Sequence, residues 1–288
     1  MSTPPFLELP PGALAARLPT GRGELAALVA GEQPRPGHAP VLLVPGFTGS
    51  KEDFIAVLAP IAAGGHRVVA VDLRGQFESP WADGGGSSGA YDVKELAEDV
   101  LEVARALGGP VHLLGHSFGG LVARAAALAD PAAVRSLTVL ASGPGAIPHP
   151  AASNLELISR ALPVLDLESI WVAKRQIESQ VEPAPPTPEV EDFLHRRFVA
   201  NDPACLLRMA EQLLSEGDRV VEVAALGLPV LVAWGPDDDA WPPDLQREMA
   251  ARLGARTAVI DGAGHSPAAD RPAETAAALL EFWASVDG

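Results

Sequence analysis

Ser117 stands in the pattern Gly115-His116-Ser117-Phe118-Gly119, a spacing that suits a serine for nucleophilic chemistry. A serine hydroxyl is a weak nucleophile until something holds it exposed and takes its proton. Glycines two residues before and after it serve the first need, because without Cβ atoms they permit a sharp turn around a strained serine. The preceding run, residues 111–114, is apolar and strand-like, and the run at 121–128 is apolar and helix-forming. Strand, sharp turn with serine at its apex, then helix is the arrangement of a nucleophile elbow. The same spacing recurs at Gly85-Gly86-Ser87-Ser88-Gly89. That match lies in ADGGGSSGA, with no apolar strand before it and no helix directly after it, so it reads as a flexible loop and Ser87 as non-catalytic.

A nucleophile needs partners, and the surrounding elements say where to seek them. Short apolar runs bounded by turn residues occur at 41–44, 68–71, 111–114, 137–140, 230–233 and 257–260. Apolar on both faces, they predict buried parallel strands. Residues 13–18 and 24–31, around Pro19-Thr20-Gly21-Arg22-Gly23, predict an antiparallel hairpin. Helical patterns alternate with the strands. Asp92 with Glu95 reads as a capping box that starts a helix carrying Val93, Leu96, Ala97, Val100, Leu101, Ala104 and Leu107 on one face. The class is therefore α/β, a doubly wound, mostly parallel sheet with helices on both sides. Between residues 143 and 223 the alternation stops. Helical patterns at 154–162, 167–181, 188–200 and 203–215, interrupted by EPAPPTPE at 182–189, predict an all-helical cap inserted after the sixth strand, over the sheet's carboxyl edge. Residues 1–142 and 224–288 then form the core. A separate helical domain on a proline-rich linker is the alternative, and the strand pattern resuming at 228–234 weighs against it.

Ligand sites of such sheets form outside the carboxyl ends of the strands. Four strand ends carry candidates. After 41–44 comes Pro45-Gly46-Phe47-Thr48-Gly49-Ser50, a loop able to aim backbone amides into the crevice; after 111–114 comes Ser117. After 230–233 comes a run with Asp237, Asp238 and Asp239, ending in Trp241-Pro242; after 257–260 comes Asp261-Gly262-Ala263-Gly264-His265. Donor loop, hydroxyl, acid and imidazole are the parts needed for acyl transfer.

From the donor loop to Pro272, these residues resemble the α/β-hydrolase superfamily, in its capped, serine-nucleophile, esterase- and thioesterase-like branch. The resemblance implies the chain order serine, acid, histidine. Within the acidic run, the family spacing of glycine, two residues, aspartate, three residues, proline selects Asp238, flanked by Gly235 and Pro242; Asp237 and Asp239 are its competitors. In that reading His265 accepts the Ser117 proton, Asp238 fixes the imidazole tautomer, and the backbone amides of Phe47 and Phe118 hold the oxyanion. The family's early Asp-x-Arg-Gly segment is present as Asp72-Leu73-Arg74-Gly75, but Phe77 replaces its usual second glycine. Relatives commonly carry histidine before the loop glycine, where this chain has Pro45. Both departures bear on the shape of the pocket.

A serine at the elbow excludes the relatives that form an alkyl ester on aspartate. The resemblance implies hydrolysis of a carboxylic ester or thioester of a small apolar acyl substrate, in a pocket formed by Trp241 with Trp171, Phe193 and Phe198 of the cap; Leu157, Ile158 and Leu162 are further candidates. Relatives with the same triad cleave carbon–carbon bonds or eliminate from menaquinone precursors. A cap arginine gripping a substrate carboxylate, Arg160, Arg175, Arg196 or Arg197, would mark that reading. A non-catalytic small-molecule receptor is a third.

The rest of the composition sets bounds. At 288 residues and 48% apolar the chain can bury a large core, and a net charge of −16 opposes nucleic acid and anionic membrane surfaces as partners. The first residues lack a basic and an apolar signal region, and no apolar run approaches a membrane span, so a cytoplasmic location is expected. Cys205, the one cysteine, reads as a buried structural thiol in a helix. His116 is expected to point away from Ser117. His38, His66, His112, His149 and His195 show no metal-ligand spacing and read as packing or surface residues. No nucleotide or dinucleotide fingerprint occurs, so no cofactor is implied. Nothing in the sequence specifies an oligomer.

Overall fold

The computed structural model describes residues 1–81, 88–178 and 187–288. Ser87 and its loop, the end of the helix expected to reach residue 181, and most of EPAPPTPE lie outside the described residues. The chain opens with the antiparallel hairpin β1 (Ala13–Thr20) and β2 (Gly23–Ala30). Strands and helices then alternate: β3 (Val41–Val44), α1 (Ile55–Ala63), β4 (Val68–Val71), α2 (Val93–Ala106), β5 (Val111–His116), α3 (Phe118–Ala129) and β6 (Val134–Leu140). After an insertion come β7 (Val230–Trp234), α9 (Pro243–Leu253), β8 (Arg256–Val259), α10 (Pro267–Asp270) and α11 (Pro272–Asp287). The eight strands form one sheet in the order β1-β2-β4-β3-β5-β6-β7-β8. β2 pairs antiparallel with both β1 and β4, and the remaining pairings are parallel.

The pleat divides the apolar residues of each central strand between two cores. Leu42, Val44, Val69 and Val71 face α2 and α3, whereas Val41, Leu43, Val68 and Ala70 face α1 and α11. Burial on both faces is why these strands read as unbroken apolar runs. The last strand departs from that expectation. β8 pairs only with β7, so its edge and outer face meet solvent and Val259 is 49% exposed.

The expected capping box at the start of α2 does not form. Asp92 Oδ1 accepts instead from Arg208 Nε at 2.5 Å, and Glu95 pairs with Arg22. The Val93 amide donates to Gln212 Oε1 at 2.6 Å. Tertiary partners from the insertion thus satisfy the helix end that a local box would have served.

The insertion comprises α4 (Ala152–Ala161), α5 (Leu167–Glu178), α6 (Pro188–Val199), α7 (Pro203–Ser215) and α8 (Val220–Ala224), with no strand among the described residues. It divides in two by packing. α7 enters the main core through Cys205, Met209, Ala210 and Leu213. The Cys205 thiol is buried, donates to the Arg74 carbonyl at 3.3 Å, and is pushed well up in pKa by burial, so it is an unreactive packing group. α5 and α6 build a smaller core around Trp171, Phe193 and Phe198 that packs on Phe47 and Phe77. Those two rings belong to the loops that follow β3 and β4, so the helices lie over the carboxyl edge there.

Candidate active site

Ser117 stands between β5 and α3 with φ 54° and ψ −122°, a positive-φ conformation that side chains rarely adopt. Its amide donates to the Leu140 carbonyl at 3.0 Å, and its carbonyl accepts from Gly120 at 2.8 Å. The strain sits on the serine itself, and the glycines make room around it. A Cβ on Gly115 would stand 2.1 Å from the Gly119 carbonyl oxygen, and one on Gly119 would stand 2.4 Å from that of Val44. These contacts let α3 pack against the ends of β5 and β3.

His265 Nε2 lies 3.0 Å from Ser117 Oγ, and His265 Nδ1 lies 2.8 Å from Asp238 Oδ1. The three side chains therefore meet as the sequence reading expects. Of the three adjacent aspartates only Asp238 is buried; Asp237 and Asp239 face solvent. Asp238 Oδ1 also accepts from the Ala240 amide at 3.0 Å, and Oδ2 accepts from Gln246 Nε2 at 2.7 Å. Burial alone would raise the pKa of this carboxyl. The hydrogen bond and charge of His265, with the Ala240 and Gln246 donors, outweigh that and hold it below the usual carboxylate range.

Two positioning groups carry no sequence signal. Gln246, buried on α9, bridges Asp238 and the Trp241 carbonyl, the latter at 2.8 Å. His116 Nε2 donates to the His265 carbonyl at 2.7 Å, tying the elbow to the histidine loop. Burial, then the neighbouring His265, push the His116 pKa down to about 3, so its ring stays neutral. The expectation that it merely points away misses this link.

The loop after β3 lies against Ser117. A Cβ on Gly46 would stand 2.9 Å from Ser117 Cβ and 3.3 Å from Oγ. Gln76, also buried, donates to the Gly46 carbonyl at 2.9 Å and so fixes the peptide that leads to Phe47. Among the described residues neither the Phe47 nor the Phe118 amide has a hydrogen-bond acceptor. The Phe118 amide opens the first turn of α3, where such groups have no helical partner and the helix dipole favours negative charge. Asp72 anchors the far side of the loop, accepting from the Lys51 amide at 2.7 Å and from Lys51 Nζ at 2.9 Å. Pro45 costs no donor here. Phe77, where relatives carry glycine, takes a glycine-like φ of 38°. Its ring meets Phe193 edge-on at 5.6 Å, with Lys51 Nζ 4.8 Å from its centroid.

The expected pocket residues separate. Trp241 is buried beside the site, its ring 6.2 Å from that of His265 and its N–H donating to the Gly145 carbonyl at 3.3 Å. Phe193 meets Phe77 of the loop after β4 and belongs to the α5–α6 core. Trp171 and Phe198 pack on each other at 5.7 Å inside the α5–α6 core, and Leu157 is exposed on the outer face. The cap arginines are engaged or outward. Arg197 is buried, donating to Asp53 Oδ1 at 2.7 Å and to the Ser2 carbonyl at 2.6 Å. Arg175 makes a two-point contact with Glu191, and Arg160 and Arg196 face solvent. His149 and His195 pair with Glu156 and Glu168. Asp238, Asp239 and His265 bring ligand atoms within 4.8 Å of one another, but Asp239 faces solvent and the other two are joined to Ser117 and Gln246.

No helix among the described residues is long and apolar enough to cross a membrane. Comparison with known proteins places this geometry in a family. Residues 41–278 match the model of the Alpha/beta hydrolase family. RutD of Variovorax paradoxus, named as a carbamate hydrolase, is 30% identical over 268 residues, covering 88% of this chain and 94% of that protein. A 2-hydroxy-6-oxononadienedioate/2-hydroxy-6-oxononatrienedioate hydrolase of Cupriavidus pinatubonensis is 30% identical over 231 residues, 77% of each chain. Among solved structures, an esterase of Thermogutta terrifontis superposes with a TM-score of 0.73 over 96% of this chain and 100% of its own; at 24% identity that likeness speaks to the fold. Match, fold and the shared hydrolytic character of these relatives agree: the chain belongs to the α/β hydrolase family and is a hydrolase.

Proposed function

We propose that this hydrolase cleaves a carboxylic ester or thioester of a small, apolar, uncharged acyl substrate through an acyl-serine intermediate. The observation that carries the reading is the continuous relay from Asp238 through His265 to Ser117, beside two backbone amides without acceptors. Ser117 Oγ attacks the acyl carbon while its proton passes to His265 Nε2. The Phe47 and Phe118 amides hold the oxyanion, and Asp238 stabilises the imidazolium. Collapse of the intermediate expels the alcohol or thiol, which takes the proton back from His265. Water, deprotonated by His265, then releases the acid and restores the serine.

Carbon–carbon bond hydrolysis is the second reading, favoured by the name of the Cupriavidus relative. Such a diacid needs a cationic grip, and the buried cap arginine, Arg197, is spent on Asp53. The residues between 143 and 223 serve in this account as the cap, and Phe77 with Phe193 and Trp241 as the pocket wall. A cytoplasmic setting, with neither nucleic acid nor membrane as partner, accords with the charge of −16. The test is turnover of acyl esters, acyl thioesters and a vinylogous diketone by wild type and Ser117→Ala. Ester or thioester turnover lost in the variant supports the proposal. Turnover of the diketone alone contradicts it, and no turnover of any substrate, with no covalent labelling of Ser117, points to a receptor.

A further inference from the structure

We propose that His66, His112 and Asp287 form a site for a zinc-type divalent ion at the amino-terminal edge of the sheet. His66 stands just before β4, His112 is the second residue of β5, and Asp287 closes α11. Five residue steps separate His112 from Ser117, roughly 16 Å, so the cluster is remote from that serine. Its members come from three distant segments, which is why ligand spacing in the sequence does not reveal it.

One nitrogen of each ring and one Asp287 oxygen lie within 4.8 Å of one another. The far sides of the rings are held as metal-bound imidazoles usually are. His66 Nδ1 is 2.9 Å from the Ala39 carbonyl, which can only accept, so that nitrogen carries the proton and Nε2 keeps the lone pair. His112 Nδ1 is 2.7 Å from Ser136 Oγ, and Nε2 is 3.1 Å from Asp287 Oδ2. A carboxylate only accepts, so in the metal-free protein Nε2 donates to Asp287 and Nδ1 accepts from the serine hydroxyl; an ion seated between Nε2 and Oδ2 would replace that proton, which moves to Nδ1 and is then donated to Ser136. Ligand atoms on tetrahedral zinc stand about 3.3 Å apart, close to that separation. The Ala39 amide, 3.2 Å from Oδ2, and Arg135, 3.4 Å from Oδ1, fix the carboxylate.

A second observation points to a polar guest. Among the described residues, His38 Nδ1 and Trp283 Nε1 are buried without a hydrogen-bond partner. The His38 ring is 4.9 Å from that of His66, and the Trp283 ring is 5.4 Å from both His66 and His112. Buried polar atoms left in this state mark ordered water or an ion. His38 would complete the ligand set or, with the indole N–H, bind the ion's water. Two or three imidazoles with one carboxylate select zinc and its neighbours over calcium or magnesium. Such an ion would pin α11 to the sheet, a structural role.

The test uses the full chain carrying His265→Ala, which removes the zinc-ligand cluster of the catalytic end. Stripped by a chelator and titrated with zinc chloride near neutral pH, it should take up one zinc per chain by native mass spectrometry. Its melting temperature should rise by about 5 °C at a hundredfold excess over Kd. Adding Asp287→Asn, or His66→Ala should that variant not fold, should abolish both effects. Absence of stoichiometric uptake, or equal uptake after either substitution, overturns the site.

Discussion

Replacing Gly46 by alanine tests the proposed donor role of the loop after β3, through its approach to Ser117. The backbone of Gly46 is not in the left-handed region, so alanine costs nothing there, and the whole effect is steric. The new Cβ would stand 2.9 Å from Ser117 Cβ, 3.3 Å from Ser117 Oγ and 3.3 Å from His116 Nδ1. Carbon atoms make contact at about 3.5–4.0 Å, so loop and serine must part by roughly half an ångström or more. Ser117 is held by the Leu140 and Gly120 bonds, and the loop by Gln76 and Asp72, so neither can yield without loss of its aim. Removing one oxyanion donor costs about 10²–10³ in kcat, and a displacement of about 1 Å about 10². Gly46→Ala should therefore lower kcat on an activated ester by about 100-fold, with KM changed less. Gly109→Ala is the control, because a Cβ there meets nothing within 4 Å. Equilibrium unfolding should show both variants folded. If folded Gly46→Ala keeps a kcat within threefold of wild type, the loop does not supply the donor and the reasoning fails.

Asp238→Asn should lower kcat by about 10³-fold or more, because the charge that stabilises the imidazolium is lost, whereas Asp237→Asn and Asp239→Asn should stay within twofold; steady-state kinetics on one ester checks all three. Arg197→Met strands Asp53, a buried carboxylate whose pKa is already raised by burial. Breaking such a pair costs about 3–5 kcal/mol, so the melting temperature should fall by about 10 °C, and Arg197→Met with Asp53→Leu should recover most of it in a thermal melt.

The central strands and the meeting of Ser117, Asp238 and His265 were legible because each signal is local. Residues 41–44, 68–71 and 111–114 are apolar on both faces, and Ser117, Asp238 and His265 each follow such a run directly. What escaped depends on distant segments meeting. Gln246 and Gln76 act through single hydrogen bonds made across loops, and a lone glutamine has no motif. His116 gains its role only when β5 and the loop after β8 are adjacent. The box at Asp92 and Glu95 is locally sound but loses to Arg208 and Gln212, which arrive more than a hundred residues later. The exposure of β8 follows from its place at the sheet's edge, which its composition does not encode. Phe77 is the converse case: its sequence departs from the family, yet its backbone keeps the glycine-like turn.

Treating the pure protein with a fluorophosphonate and weighing it intact, beside Ser117→Ala and Ser87→Ala, tests the nucleophile most directly. One adduct is expected on wild type and on Ser87→Ala, mapped to Ser117, and none on Ser117→Ala. An adduct that persists on Ser117→Ala, or none on any of the three proteins, would contradict it.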